Sequence, residues 1–327
     1  MIRPFDEASA HAAAEILRAG GLVAFPTETV YGLGARADVS SAVLRIYEAK
    51  GRPLANPSIV HARDADEALA MLAPHPLASA LAARFWPGPL TLVAAPRPGV
   101  VAREVMAGGD TLAIRVPAHP AAQRLLTIVD LPIAAPSANR SNAISPTTAA
   151  HVQKSLGARV PLILDAGPTG FGIESTIVDL SSEPPRLLRR GSIAFEELAR
   201  VLPGLVDRGD TVTERPLAPG NYARHYAPDA PLSLLERAEL PARVAALRAA
   251  GMRVGVLVVG AAPAGLEGAS PLLSLPENAA AYAAGLYAAL HALDESGAEV
   301  LLAESPPDVP AWRAVHDRLR RASHALG

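Results

Sequence analysis

The chain contains no cysteine. Disulfides, thiolate nucleophiles and sulfur-ligated zinc are therefore excluded, and the absence fits a reducing compartment. Lysine is nearly as scarce: Lys50 and Lys154 are the only two, so the basic set is almost wholly arginine. Aromatic residues reach only 4%, which leaves little for stacking unpaired bases. A surplus of positive charge is also missing. Thirty basic against 32 acidic residues give a net charge of −2, which argues against a surface that holds long nucleic acid by neutralising phosphates; any RNA contact would be local. Long apolar runs are absent too. Val254 to Val259 falls well short of the roughly 20 residues a membrane-spanning helix needs. The opening Met-Ile-Arg-Pro-Phe-Asp-Glu has no basic segment followed by an apolar one, so no cleaved export signal is expected. The expected location is cytoplasmic, with no membrane partner.

What remains is a globular composition, half apolar and 19% charged over 327 residues, enough for about two domains at ~150 residues each. From Phe5 to about Leu202, helix-like and strand-like segments alternate at short intervals, the pattern of an α/β layer structure. Ser9 to Ala19 reads as a helix stopped by Gly20-Gly21, followed by a buried strand from Leu22 to Phe25. Ser40 is placed to cap a second helix, with Val43 and Tyr47 on one face and Gly51 and Pro53 at its end. Further strands are expected at Ile59 to Ala62, Leu90 to Ala94, Leu112 to Val116, Pro132 to Ala135, Val160 to Leu164, Thr176 to Leu180 and Arg186 to Leu188, enough for one sizeable sheet.

Between Val206 and Pro231 the periodicity disappears and five residues, Pro216, Pro219, Gly220, Pro228 and Pro231, punctuate the chain, as in a linker. Beyond it come a helix at Ala242 to Ala250, the strand Val254 to Val259, and a long helix with Tyr282, Leu286, Leu290 and Leu293 on one stripe. Val300 to Ala303 reads as another strand, and Trp312, Val315, Leu319 and Ala322 mark a last helix. This is a small Rossmann-like domain. Gly260 begins no G-x-G-x-x-G run, so no dinucleotide is expected there. No internal repeat is visible.

Four segments carry chemistry. Pro26-Thr27-Glu28-Thr29-Val30-Tyr31-Gly32-Leu33-Gly34 puts hydroxyls and a carboxylate at the carboxyl end of a strand beside glycines, which suits a ligand crevice but equally a polar connection with glycine turns. In Lys50-Gly51-Arg52-Pro53-Leu54-Ala55-Asn56-Pro57-Ser58-Ile59-Val60-His61, two cations leave a helix end. They can neutralise phosphates or merely complement the helix dipole. His61 is a ligand contact or a core histidine; with no second histidine at metal spacing, a metal site there is rejected. Alternation places Thr111, Ala113 and Arg115 on one strand face, where Arg115 can fork a carboxylate or form a surface ion pair. Pro132 to Asn139, with Ser145-Pro146-Thr147, forms a hydroxyl-rich turn before a helix, open to phosphate binding or ordinary capping.

Together these segments are specific. Pro-Thr-Glu-Thr-x-Tyr-Gly-Leu-Gly, Lys-Gly-Arg-Pro-x-x-Asn-Pro, Trp86-Pro87-Gly88-Pro89-Leu90-Thr91, Arg115-Val116-Pro117, Pro136-Ser137-Ala138-Asn139 and Glu174-Ser175-Thr176-Ile177-Val178-Asp179 stand in the order found in the YrdC-like family. Pro219-Gly220-Asn221-Tyr222-Ala223-Arg224-His225-Tyr226-Ala227-Pro228 resembles the linker of its two-domain members. The resemblance spans essentially the whole chain.

It implies an α/β fold: a YrdC-like twisted open sheet with flanking helices over 1–205 and a smaller Rossmann-like C-terminal domain over 232–327. The linker between them, 206–231, is charged and aromatic at Arg224-His225-Tyr226 and bounded by prolines, poor material for a flexible tether, and reads as an active-site lid or as a brace between the domains. The implied activity joins L-threonine and bicarbonate, at the expense of ATP, into threonylcarbamoyl-adenylate and pyrophosphate. Downstream proteins would transfer the product to tRNA. Carried across position by position, Thr29, His61, Arg115, the Ala135 backbone and Ser175 would hold threonine. Lys50, Arg52, Asn56, Thr111, Ser137, Ser145, Arg189 and Tyr226 would hold ATP, with Mg2+ accompanying the triphosphate. Two departures stand out. Asn221-Tyr222-Ala223 replaces the family's commoner Met-Lys-Tyr, which favours Tyr226 over Tyr222 as the linker contact, and Ser58 stands where a larger apolar residue is usual. No general base emerges. Two other functions compete: a carbamoyltransferase using carbamoyl phosphate, which needs further catalytic domains that nothing here resembles, and a non-catalytic RNA-binding module, disfavoured by the charge and aromatic content but compatible with a weak local tRNA contact.

Overall fold

A computed structural model describes residues 1–209 and 226–323. The chain divides into two compact units, the first made of 1–141, 145–170 and 174–222 and the second of 142–144, 171–173 and 223–327.

The strands of the first unit, in chain order, are β1 (Ile2–Pro4), β2 (Val23–Pro26), β3 (Tyr31–Arg36), β4 (Ile59–His61), β5 (Leu90–Ala94), β6 (Leu112–Arg115), β7 (Ile133–Ala134), β8 (Leu162–Asp165), β9 (Thr176–Asp179), β10 (Arg186–Arg189) and β11 (Val206–Asp207). They form one mixed sheet in the order β1-β8-β2-β3-β7-β4-β6-β5-β9-β10-β11. The helices are α1 (Glu7–Arg18), α2 (Ser40–Lys50), α3 (Ala65–Ala70), α4 (Pro76–Phe85), α5 (Pro120–Val129), α6 (Ala149–Leu156) and α7 (Phe195–Val201). The expected α/β architecture is present.

Local chemistry sets the element ends. α1 begins at Glu7 rather than Ser9, because the Asp6 carboxylate accepts from the Ser9 amide at 2.7 Å and the Ser9 hydroxyl accepts from the Asp6 amide at 2.9 Å, a reciprocal capping box. Ser40 does not cap α2. It is already the first helical residue, and Val39 before it makes no side-chain capping bond. The glycine-rich segment after β2, open to reading as a ligand crevice or as a polar connection with glycine turns, forms β3, which pairs antiparallel with β2 along its length. Its glycines serve packing: a Cβ on Gly34 would come within 2.8 Å of the Phe25 ring, while Tyr31, Leu33 and Ala35 alternate toward the main core. Val206 and Asp207, expected to open the linker, instead pair with Arg186 and Leu187 at the sheet edge. Most of the linker, and with it the lid reading, lies outside the described residues.

Two apolar clusters cover the sheet. One includes Leu33, Val43, Ile46, Leu92, Leu112, Ile114 and Val178. The other holds Leu17, Val23, Phe25, Leu125 and Leu164. On β6, Leu112 and Ile114 belong to the first. Ala113 belongs to a small separate cluster with Ile59, Val93, Ile177 and Leu188. Alternation along β6 therefore places Arg115 on the Ala113 face, away from the main core.

The second unit contains β12 (Leu232–Leu235), β13 (Val254–Val259), β14 (Leu272–Leu275) and β15 (Val300–Glu304) with α8 (Leu240–Ala249), α9 (Ala279–Glu295) and α10 (Arg313–Ala322). All pairings are parallel, in the order β12-β15-β13-β14. β12 and β14 are edge strands not foreseen from the sequence. Tyr282, Leu286, Leu290 and Leu293 are wholly buried on α9, as their stripe predicts. No described helix is long and apolar enough to cross a membrane.

Candidate active site

The β2–β3 hairpin loop is fastened by its own hydroxyls. Thr27 Oγ1 donates to the Val30 carbonyl at 2.7 Å and lies 2.8 Å from Thr29 Oγ1. This turn presents Glu28 and Thr29 to Arg115, at the end of β6. Arg115 is buried, hydrogen-bonded through Nε and Nη1 and ion-paired through Nη2. Nε donates to the Gly88 carbonyl at 3.2 Å, Nη1 to Thr29 Oγ1 at 2.8 Å, and Nη2 stands 2.6 Å from Glu28 Oε1. Burial alone would raise the Glu28 carboxyl, but the Arg115 charge, helped by backbone groups, outweighs it and holds the group below the ordinary carboxylate value.

Register completes the surroundings of Arg115. His61 on β4 and Thr91 on β5 both stand opposite it. Thr91 Oγ1 lies 2.8 Å from Ser175 Oγ, and Arg189 donates from Nε to the Ser175 carbonyl at 2.9 Å and from Nη2 to Ser175 Oγ at 3.0 Å. The β9–β10 register shifts between Leu187 and Arg189, the kind of irregularity that re-aims a side chain. The Ala135 amide is already committed to the Ile59 carbonyl at 2.9 Å, so the carbonyl is the group Ala135 would offer a ligand. Thr29, His61, Arg115, Ala135 and Ser175 thus converge through neighbouring strands.

His61 is buried with Nδ1 3.3 Å from the Ile59 carbonyl, and its ring meets Phe25 edge to face. Burial, reinforced by the Arg115 charge, pushes its pKa down to about 3, so the imidazole is neutral at physiological pH. An unfolded histidine titrates near ~6.5, so between that pH and ~3 the unfolded chain binds the extra proton and stability rises with pH. Cooperative unfolding is expected to lose roughly 1 kcal/mol per pH unit on acidification from about 6.5 to 4.5. His61→Asn should flatten that slope in denaturant melts; an unchanged slope would show that His61 is not its source.

The second constellation surrounds the end of α2. Lys50 Nζ donates to the carbonyls of Ser137 and Asn139, each at 2.5 Å, while burial, with Arg52 adding to it, depresses its pKa well below the usual lysine value. Arg52 Nη2 donates to Asn56 Oδ1 at 2.6 Å and to the Pro57 carbonyl at 2.7 Å. Ser145 Oγ donates to Glu174 Oε1 at 2.6 Å. Thr111 lines a cavity of about 920 Å³ with Leu54, Ala55, Pro57 and the Gly108-Gly109 turn. Tyr226 belongs to the second unit: it is buried, 5.6 Å from the Tyr287 ring centroid and 5.4 Å beneath the Arg318 guanidinium.

Glu28, Thr91 and Glu174 hold the expected site residues and were not singled out by sequence. All three had a readable signal, since each lies in a motif quoted above: Glu28 in Pro-Thr-Glu-Thr, Thr91 in Trp-Pro-Gly-Pro-Leu-Thr and Glu174 in Glu-Ser-Thr. Among the described residues, no group of three or more histidines and carboxylates could hold a metal.

Residues 15–191 match the family described as "Telomere recombination", the Sua5/YciO/YrdC group. The chain belongs to this family. Residues 193–324 match the family described as "Threonylcarbamoyl-AMP synthase, C-terminal domain". The threonylcarbamoyl-AMP synthase of Bacillus subtilis is 45% identical over 95% of this chain and 92% of its own length. That of Pyrococcus abyssi is 42% identical over 95% and 93%. Among solved structures, P. abyssi Sua5 complexed with L-threonine superposes with a TM-score of 0.92 at 39% identity, covering 99% of this chain and 97% of that one.

Proposed function

We propose that the protein is a cytoplasmic threonylcarbamoyl-AMP synthase that supplies the activated threonylcarbamoyl group for tRNA modification. The observation that carries this reading is Arg115, a buried guanidinium hydrogen-bonded through Nε and Nη1 and ion-paired through Nη2, beside Thr29 and a neutral His61, in a chain similar over its length to enzymes of that name.

Arg115 would fork the threonine carboxylate through its remaining Nη hydrogens. Thr29, the Ala135 carbonyl and Ser175 would fix the hydroxyl and amino ends, and the neutral His61 adds polarity without a second buried cation. Carbamate formation converts threonine ammonium and bicarbonate into carbamate, water and one proton. A carbamate oxygen then bonds to the α-phosphorus as the bond to pyrophosphate breaks. Lys50, Arg52 and Arg189 supply the positive charge that a triphosphate and its leaving pyrophosphate require, while Asn56, Thr111, Ser137, Ser145 and Tyr226 are the further residues expected to hold the nucleotide. Positioning and fixed charge are the means of catalysis these residues offer. Because the described residues build no carboxylate cage, Mg2+ would be held chiefly by ATP itself.

Purified protein is expected to release pyrophosphate from ATP only when L-threonine and bicarbonate are both present, with label from bicarbonate entering a chromatographically resolved adenylate. Equal turnover without threonine would overturn the assignment.

A further inference from the structure

Glu28 lies in the hairpin loop that carries Thr29, yet no ligand role has been given to it. Its carboxylate oxygens and Arg115 Nη2 are shielded from solvent and make no hydrogen bond among the described residues, so charge is what joins them. The 2.6 Å contact between them is an ion pair between two side chains that are only 11% and 4% exposed. A carboxylate repels a second carboxylate, so Glu28 is no partner for the acid group that Arg115 would receive, and what it does for binding passes through Arg115.

Two consequences follow from the geometry. Arg115 is held on Nε by Gly88 and on Nη1 by Thr29. Glu28 adds an ion pair on Nη2, whose attraction draws that end of the guanidinium toward the hairpin loop. The second consequence is charge. His61, opposite Arg115, is neutral, and burial likewise depresses the half-buried His119, which senses the Glu28 charge. Arg115 and Glu28 therefore cancel as a pair, and loss of the Glu28 charge adds about +1 beside the expected carboxylate, while the next cation, Arg189, is turned toward Ser175. A paired Arg115 accepts a molecule that is itself balanced. An unbalanced cation repels an ammonium and favours a plain carboxylate, and across several ångströms in a partly dehydrated site that preference amounts to roughly tenfold or more.

We propose that Glu28 is a positioning and specificity-determining residue: it orients Arg115 and cancels its charge, so that the pocket selects a zwitterionic amino acid over the corresponding hydroxy acid. This rests on the reading that Arg115 receives the threonine carboxylate. The test is calorimetric titration of the full chain with L-threonine and with 3-hydroxybutanoate, which is threonine without its amino group.

The unsubstituted protein should prefer threonine. Glu28→Gln, nearly isosteric and uncharged, should move the ratio of the two dissociation constants toward 3-hydroxybutanoate by roughly tenfold, with ATP affinity unchanged. Glu28→Asp retains the charge and should keep the preference for threonine even if both ligands bind more weakly. A structural role alone would weaken both ligands together and leave the ratio where it was, which would overturn the proposal, as would an equal shift in Glu28→Asp. Should Glu28→Gln fail to fold, a lost preference in Glu28→Asp still overturns it and a kept one supports it. Threonine failing to bind the unsubstituted protein would overturn the functional reading as well, whereas binding with an unaltered ratio overturns only the role of Glu28.

Discussion

Arg115→Lys is expected to weaken L-threonine binding by roughly a hundredfold, the worth of about two charge-assisted hydrogen bonds, while ATP affinity changes little. The reason lies in how many partners the guanidinium serves at once. Nε and Nη1 are occupied by Gly88 and Thr29, and Nη2 by Glu28, yet each Nη still carries a second hydrogen for a carboxylate. An ammonium on a flexible stem has three donors in all and no planar fork. Beside Glu28 it could offer the substrate a single hydrogen bond but not a parallel pair, and Thr29 would lose the contact that fixes its hydroxyl. Calorimetric titration of each ligand separates the outcomes. Unchanged threonine affinity would make Arg115 structural, and a parallel loss of ATP affinity would assign it to the nucleotide.

How far the sequence foretold this arrangement depends on what each residue's signal rests on. Strands dominated by branched apolar residues, such as Leu90–Ala94 and Val254–Val259, were legible to the residue because hydrophobic burial is a local property of the chain. β3 was not, because the reason for its glycines lies in β2: only the packed Phe25 ring explains why Gly34 needs no side chain. The same divide runs through the site. Thr29 and Arg115 are recognisable from their motifs, and alternation alone puts Arg115 on the face away from the main core. Glu28 stood in the most obvious motif without a role, since the ion pair that gives it one spans 87 positions of sequence and exists only once β6 is laid beside the hairpin. Ala135 shows the reverse case. The resemblance names its backbone, but only the pairing with Ile59 decides that the carbonyl is the group on offer.

Lys50 makes the strongest claim on both stability and nucleotide binding. It is one of two lysines in the chain, and it is almost wholly buried although it ends a helix. A lysine serving only the helix dipole would keep its ammonium in water. Instead the ammonium ties the end of α2 to the Ser137 and Asn139 carbonyls, so the loop bearing Ser137 is held by the same cation that would meet the phosphates. Lys50→Met keeps the stem and removes the donor, leaving the Asn139 carbonyl in the interior without this partner. Release of a buried lysine's own desolvation offsets part of the loss, and the net destabilisation should be about 2 kcal/mol, or roughly 4–8 °C in the melting temperature of the first domain. ATP affinity should fall by roughly tenfold or more as the loop loosens and one cation disappears, with threonine affinity affected far less because Arg115 is anchored elsewhere. Scanning calorimetry and nucleotide titration report the two effects separately. A variant that melts lower but binds ATP normally would make Lys50 a brace alone, and one that melts normally but loses ATP would make it a phosphate ligand whose contacts with the loop carry little energy.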